Sequence, residues 1–164
     1  MVDSGIRDIF ITNEIVEPTK IDRLVKLQEK ATVKVAVDSL NIAESIGKTA
    51  TGADQTVPVL IEVDTGMRRC GVPLGSATVN LAKRLAQVAG IRLEGLMTYD
   101  AQLYRTAKTR RGTVAKRTVG KLVENAKQVR KAGVEVSVVS CGSTPTAADV
   151  VQVPGVTEIQ PGNY

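Results

Sequence analysis

With 164 residues, a 43% hydrophobic fraction and a net charge of +5, the chain suits one globular domain with a single core and not a disordered polyelectrolyte. It has no histidine, no tryptophan, one phenylalanine and two cysteines. Histidine-based hydrolytic triads are excluded, no zinc centre or disulfide framework is expected, and proton transfer near neutral pH falls to Lys, Tyr, Cys, Asp and Glu.

Residues 1–20 lack the basic-then-apolar order of a secretory signal, and no run approaches the roughly 20 apolar residues of a membrane span, so a cytoplasmic protein is expected. The first strand is "DIFITNEI" from Asp8. The helix "PTKIDRLVKLQEKA" follows, with a proline suited to the first turn and Ile21, Leu24, Val25 and Leu27 on one face. Strands "VKVAVD" from Val33 and "VPVLIEVD" from Val57 come next. The helix "SATVNLAKRLAQVAG" then carries Val79, Leu81, Leu85 and Val88 on its apolar face, with Gly90 to terminate it. After the strand "IRLEGLMTY" from Ile91, residues 105–131 hold ten Lys/Arg and one acid, leaving 12 basic and 16 acidic residues, a net of −4, elsewhere. Ala115, Val119, Leu122, Ala126 and Val129 recur there at helical spacing, so the charges take the opposite face. No aromatic beyond Tyr104 interleaves with them to stack bases, which favours a solvated outer helix over a nucleic-acid surface. "VEVSVVS" from Val134 and "VTEIQ" from Val156 complete six strands.

Strands alternating with helices imply right-handed parallel crossovers, hence an α/β sheet or barrel. A closed (β/α)₈ barrel of TIM type needs eight strands, so the expectation is either an open sheet or an incomplete barrel. In both, sites gather at the carboxyl ends of strands. That rule selects Asn13 and Glu14, Asp38 and Ser39, residues 64–71, 99–104 and 141–146, and Gln160 to Tyr164.

Within this set, "SCGSTPT" places Gly142 where backbone can approach a ligand, with Ser143 and Thr144 adding hydroxyls to their amides, as a phosphate requires. The plain alternative is a cap for a helix over "PTAADVV". "QPGNY" lies one strand later, so Gly162 and Asn163 are expected beside Gly142 to Thr144, and loops after the last two strands of such barrels often form a phosphate site together. "EVDTGMRRCGV" contains Asp-Thr-Gly, the signature of aspartic proteases, but it follows a parallel strand and precedes two arginines. Asp64 is then expected to satisfy loop amides.

"EVDTGMRRCGV" resembles the strand and loop of the alanine racemase type barrel, fold type III of the pyridoxal phosphate enzymes. "GLMTYDAQLY", "VSCGSTPT" and "TEIQPGNY" narrow the resemblance to the D-threonine aldolase and D-serine dehydratase branch. "DIFITNEIVEPTKIDRLVKL" and "VKVAVDS" are similar to the same branch, so the resemblance spans almost the entire chain. It implies pyridoxal 5'-phosphate as cofactor, with Arg69 close to the ring and its phenolic oxygen and Tyr99 bordering it. Gly142, Ser143 and Thr144 match the phosphate loop, and Gly162, Asn163 and Tyr164 its partner loop. The six strands resemble the third to eighth of an eight-stranded barrel. Residues 1–164 are then expected to be a partial N-terminal barrel domain, lacking the early strands with the Schiff-base lysine and the C-terminal β domain with the family's divalent metal. No lysine here matches the anchor, so no catalytic residue is assigned. Two departures are Gln102, where the family has His, and Gln160, where Arg commonly precedes Pro-Gly.

For the complete protein the resemblance implies a D-threonine aldolase-like lyase acting on small D-amino acids, with room for a homodimer and with neither nucleic acid nor membrane as partner. The alternatives are a D-serine dehydratase-like enzyme and a non-catalytic pyridoxal phosphate-binding homeostasis protein. Open strand edges in an incomplete barrel lead us to expect poor solubility or self-association.

Overall fold

The computed structural model describes residues 1–162; Asn163 and Tyr164, two of the expected ligand-loop residues, lie outside it. The elements are β1 (Asp8–Glu14), α1 (Pro18–Leu27), β2 (Thr32–Val37), α2 (Leu40–Gly52), β3 (Val57–Asp64), β4 (Val72–Pro73), α3 (Ser76–Leu85), β5 (Ile91–Met97), α4 (Lys108–Lys131), β6 (Val138–Cys141), α5 (Ala147–Val150) and β7 (Glu158–Ile159). Every pairing is parallel, and the order β1-β2-β3-β5-β6-β7 puts each main strand beside the next in sequence, with β4 paired to the end of β3. Winding always in one direction curls the sheet, giving an incomplete α/β barrel of six main strands with helices outside.

Local chemistry sets the helix starts. Glu17 caps α1 by accepting from the Thr19 amide, with Pro18 in the first turn, and Ser39 caps α2 by accepting from the Ile42 amide at 3.4 Å. Helix α2, unmarked in the sequence reading, buries Ala43, Ile46, Gly47 and Ala50. Helix α4 buries all five expected residues, Ala115, Val119, Leu122, Ala126 and Val129, and its charges lie on the remaining faces. Several boundaries differ from expectation, the last strand among them, which is only Glu158–Ile159 and not the whole of 156–160. Helix α1 stops at Leu27 and α3 at Leu85, so Gly90 closes a later turn into β5 and is not the helix terminator. Strand β6 begins at Val138 and not Val134: Val134 and Val136 are buried, but the Val136 carbonyl accepts from Arg130 Nε at 2.7 Å.

The two faces of the sheet differ. Val33, Val35 and Val37 of β2 and Val57, Val59, Ile61 and Val63 of β3 pack outward under the helices as part of the main core. The concave face holds a small cluster, Ala36, Leu60 and Met97, flanked by Phe10 and Val138. One step toward the carboxyl ends, Glu62, Met97, Ser140 and Glu158 are cross-strand neighbours, so the row above the apolar cluster is mostly polar. Strand β1 pairs Ile11 with Val35 but Glu14 with Ala36. The two extra residues, Thr12 and Asn13, form a bulge, and the pairing places Glu14 on the concave side with Ala36. Among the described residues no helix is long and apolar enough to cross a membrane.

Candidate functional site

At the carboxyl ends of the strands opens a cleft of about 320 Å³. Arg69, Tyr99, Ser143, Thr144 and Gly162 all line it, so the structure gathers residues from four separate stretches of sequence. Gly142 supports the wall without lining it. Thr12, Asn13, Met97, Tyr104 and Gln160 complete the lining.

One wall is the loop 64–71 after β3. The Asp64 carboxylate accepts from the Gly66 amide at 2.8 Å and the Arg68 amide at 3.0 Å, as expected for a loop-closing aspartate. Burial works against its charge, yet the amides of Arg68, Gly66 and Met67 hold its pKa below the usual aspartate value. The Thr65 hydroxyl meets that of Thr98 at 2.8 Å, and Thr98 in turn donates to the Val63 carbonyl. Gly71 has φ +95°, and its amide donates to Asp38 Oδ2 at 3.0 Å; a Cβ there would stand 2.8 Å from the Asp64 nitrogen, so only glycine closes this loop without strain. Fixed at both ends, the loop presents a half-exposed Arg69 with its guanidinium 5.4 Å from the Tyr99 ring centroid.

Behind Arg69 stands a buried acid group. Glu62, with a side chain only 6% exposed, lies 3.8 Å from the Arg69 guanidinium and accepts from Cys70 Sγ at 3.0 Å. Burial, then the Glu62 contact, pushes the Cys70 thiol pKa up, so this cysteine is no ready nucleophile. Glu14 is pushed up to about 7, first by burial and then by its hydrogen bond with Asp38 and the charges of Asp38 and Glu62, with Arg69 opposing. Ligand atoms of Glu14, Glu62 and Cys70 come within 4.8 Å of one another. Arg69 already supplies a positive charge beside Glu62, so this trio reads as an ion-paired cluster and not as a cation site.

The opposite wall joins the loops after β6 and β7. Gly142 has φ +90°, and a Cβ there would stand 2.8 Å from Val150 Cγ2, so glycine lets α5 fold back against the loop. Ser143 is buried, Thr144 is exposed, and the Gly162 amide donates to the Thr144 hydroxyl at 3.1 Å. The two loops meet, as their order in the sequence implied. Gln160 gains an account here: its Nε2 donates to Ser140 Oγ at 2.7 Å, and Ser140 is paired to Glu158. Sequence reasoning missed Thr12, Met97 and Glu62. For Glu62 a signal existed, a lone carboxylate within the otherwise apolar run "VPVLIEV".

These residues fit an anionic aromatic ligand such as pyridoxal phosphate, with a cation and an aromatic face on one wall and an amide and hydroxyls on the other. They do not fit its covalent anchoring, because no lysine lines the cleft among the described residues. Lys34, at the start of β2, pairs with Asp8 at 3.1 Å at the opposite end of the strands.

A polar cleft at the carboxyl ends of parallel strands is where α/β barrels place their ligand sites. The model of the alanine racemase N-terminal domain matches residues 4–164, and the chain belongs to that family, the fold type III pyridoxal phosphate enzymes. It is 31% identical to a D-threonine aldolase from an Arthrobacter species, over 99% of this chain and 43% of that protein. The structure of D-threonine aldolase from Filomicrobium marinum superposes with a TM-score of 0.93 at 31% identity, covering 99% of this chain and 44% of that one. D-threo-3-hydroxyaspartate dehydratase from Delftia sp. HT23 gives 0.85 at 29% identity, covering 98% and 43%. The chain thus spans less than half the length of these relatives.

Proposed function

We propose that this chain forms a cofactor-holding wall of a pyridoxal phosphate-dependent lyase acting on D-amino acids, of the D-threonine aldolase type. The observation that carries the proposal is the single cleft with the Arg69–Tyr99 pair on one wall and the Thr144–Gly162 contact on the other. Pyridoxal phosphate, when bound, supplies an electron sink for bond cleavage at the substrate's α-carbon. Arg69 would place a fixed positive charge beside the ring's phenolic oxygen, Tyr99 would border the ring, and Thr144 and Gly162 would face the phosphate. Glu62 sits behind Arg69 and restrains its guanidinium. The chain would hold the cofactor non-covalently, since among the described residues no lysine lines the cleft. The higher TM-score to the aldolase, 0.93 against 0.85, favours carbon–carbon cleavage over dehydration.

Two measurements test this. The 164-residue chain is titrated with pyridoxal phosphate and reduced with borohydride. Saturable binding that Arg69→Ala weakens is expected, without a stoichiometric adduct at one lysine; such an adduct would overturn the non-covalent reading. The whole protein is then given D-threonine, for which glycine and acetaldehyde are the aldolase products. Appearance of 2-oxobutanoate and ammonia instead would assign the dehydratase.

A further inference from the structure

We infer that Asp100 and Thr146 are positioning residues that lock the loop 142–146 so that Thr144 faces the cleft, a role that rests on the cofactor reading above. Asp100 directly follows Tyr99 and is completely buried. A buried carboxylate is costly unless something in the fold uses its charge. Its Oδ2 accepts from the Thr146 hydroxyl at 2.7 Å, a contact between residues 46 apart in sequence, and its Oδ1 has no hydrogen-bond partner among the described residues.

The same Thr146 hydroxyl accepts from the Ser143 amide at 3.0 Å and lies 3.2 Å from Ser143 Oγ. The single Thr146 hydroxyl proton is within reach of Asp100 Oδ2 at 2.7 Å and of the Ser143 carbonyl at 3.1 Å; the shorter contact to Asp100 takes it, and the oxygen's lone pairs are left for the Ser143 amide. The Thr146 and Ala147 amides both donate to the Ser143 carbonyl, at 3.0 and 2.9 Å, which closes the turn. Ser143 and Thr146 are therefore turned inward, at 1% and 0% exposure, and the residues between them are pushed out. Thr144 stands exposed at the apex, its hydroxyl against the Gly162 amide. The Ser143 amide, one of the donors the sequence offered to a phosphate, is engaged inside the loop. The two loops meet at the rim of the cleft through the contact between the Gly162 amide and the exposed Thr144 hydroxyl.

The test compares binding of pyridoxine 5'-phosphate with pyridoxine, which share the ring but lack the aldehyde that would label surface lysines. Thr146→Val keeps the shape and removes the hydroxyl; it should weaken the phosphate ester about tenfold, the scale of one charge-assisted hydrogen bond, and leave pyridoxine within about twofold. Thr146→Ser should restore binding. Asp100→Asn should act in the same direction, and the double variant Asp100→Asn with Thr146→Val should be no worse than Thr146→Val alone, as for members of one relay. Amide hydrogen exchange supplies a readout free of ligand: Ser143 should lose protection in Thr146→Val and recover it in Thr146→Ser. Unchanged protection, or equal losses for both ligands, would overturn the relay. If the unmodified chain shows no preference for the phosphate ester while Ser143 still responds, the lock stands and the cofactor reading falls.

Discussion

The convex and concave faces of the sheet are made from alternate residues of the same strands, yet they serve different ends. Outward, Val57, Val59, Ile61 and Val63 form a continuous apolar ridge under the helices. Inward, apolar Leu60 gives way to Glu62, and then to Asp64 with its loop amides. The convex face supplies burial, and the concave face trades burial for charge only near the carboxyl ends, where the helices no longer need it. Stability and ligand chemistry are thereby separable by a step of one residue along a strand.

Substitutions on the two faces should therefore differ in kind. Leu122→Ala, under the convex face and fully buried, should destabilise the chain by about 3 kcal/mol in a urea titration, without changing ligand affinity of the folded fraction. If affinity also fell, the faces would not be independent. Gly71→Ala should lower stability by about 2 kcal/mol through its positive φ and crowding against Asp64, and should also weaken pyridoxine 5'-phosphate binding because it moves Arg69.

Glu14 tests the concave side by pH. Burial and the neighbouring acids push its pKa up to about 7 from the ordinary glutamate value of 4.5, so the folded state holds the proton more tightly than the unfolded chain. That contribution is fully present below about 4.5 and is lost as pH rises through about 7. Glu14→Gln should remove this decline, worth about 1 kcal/mol after allowance for solvent screening at a partly open position, and thermal melts from pH 5 to 8 would show it. The smallest effect is expected at the solvent face of α4, where Arg117→Ala should shift stability by less than about 0.5 kcal/mol. A larger loss would mean that the basic helix is not merely solvated.

The strands and the outer helix were legible in the sequence because their burial is periodic: Ala115 to Val129 repeat every three or four residues and all are buried. Helix α2 escaped because its buried face consists of small residues, Ala43, Gly47 and Ala50 around Ile46, which carry little apolar signal although they keep helical spacing and Ser39 caps the helix. The ends of the cleft were legible as glycine-bearing turns after strands. Its base was legible only in part: Glu14 was selected at the carboxyl end of its strand, but the register shift that pairs it with Ala36 has no local signal, and Glu62 reaches the Arg69 loop by strand alternation from within an apolar run. Asp100 and Thr146 were visible within candidate turns, but their partnership spans 46 residues and only the fold creates it.

The neighbour-by-neighbour strand order has a consequence for how the chain is made. Each main strand pairs with the one that precedes it, so the sheet extends strand by strand as the chain emerges during synthesis, and no formed ladder has to open to admit a later segment. The residues of the Arg69 wall leave the ribosome well before the Thr144–Gly162 wall. The cleft is thus assembled last, when β7 docks against β6.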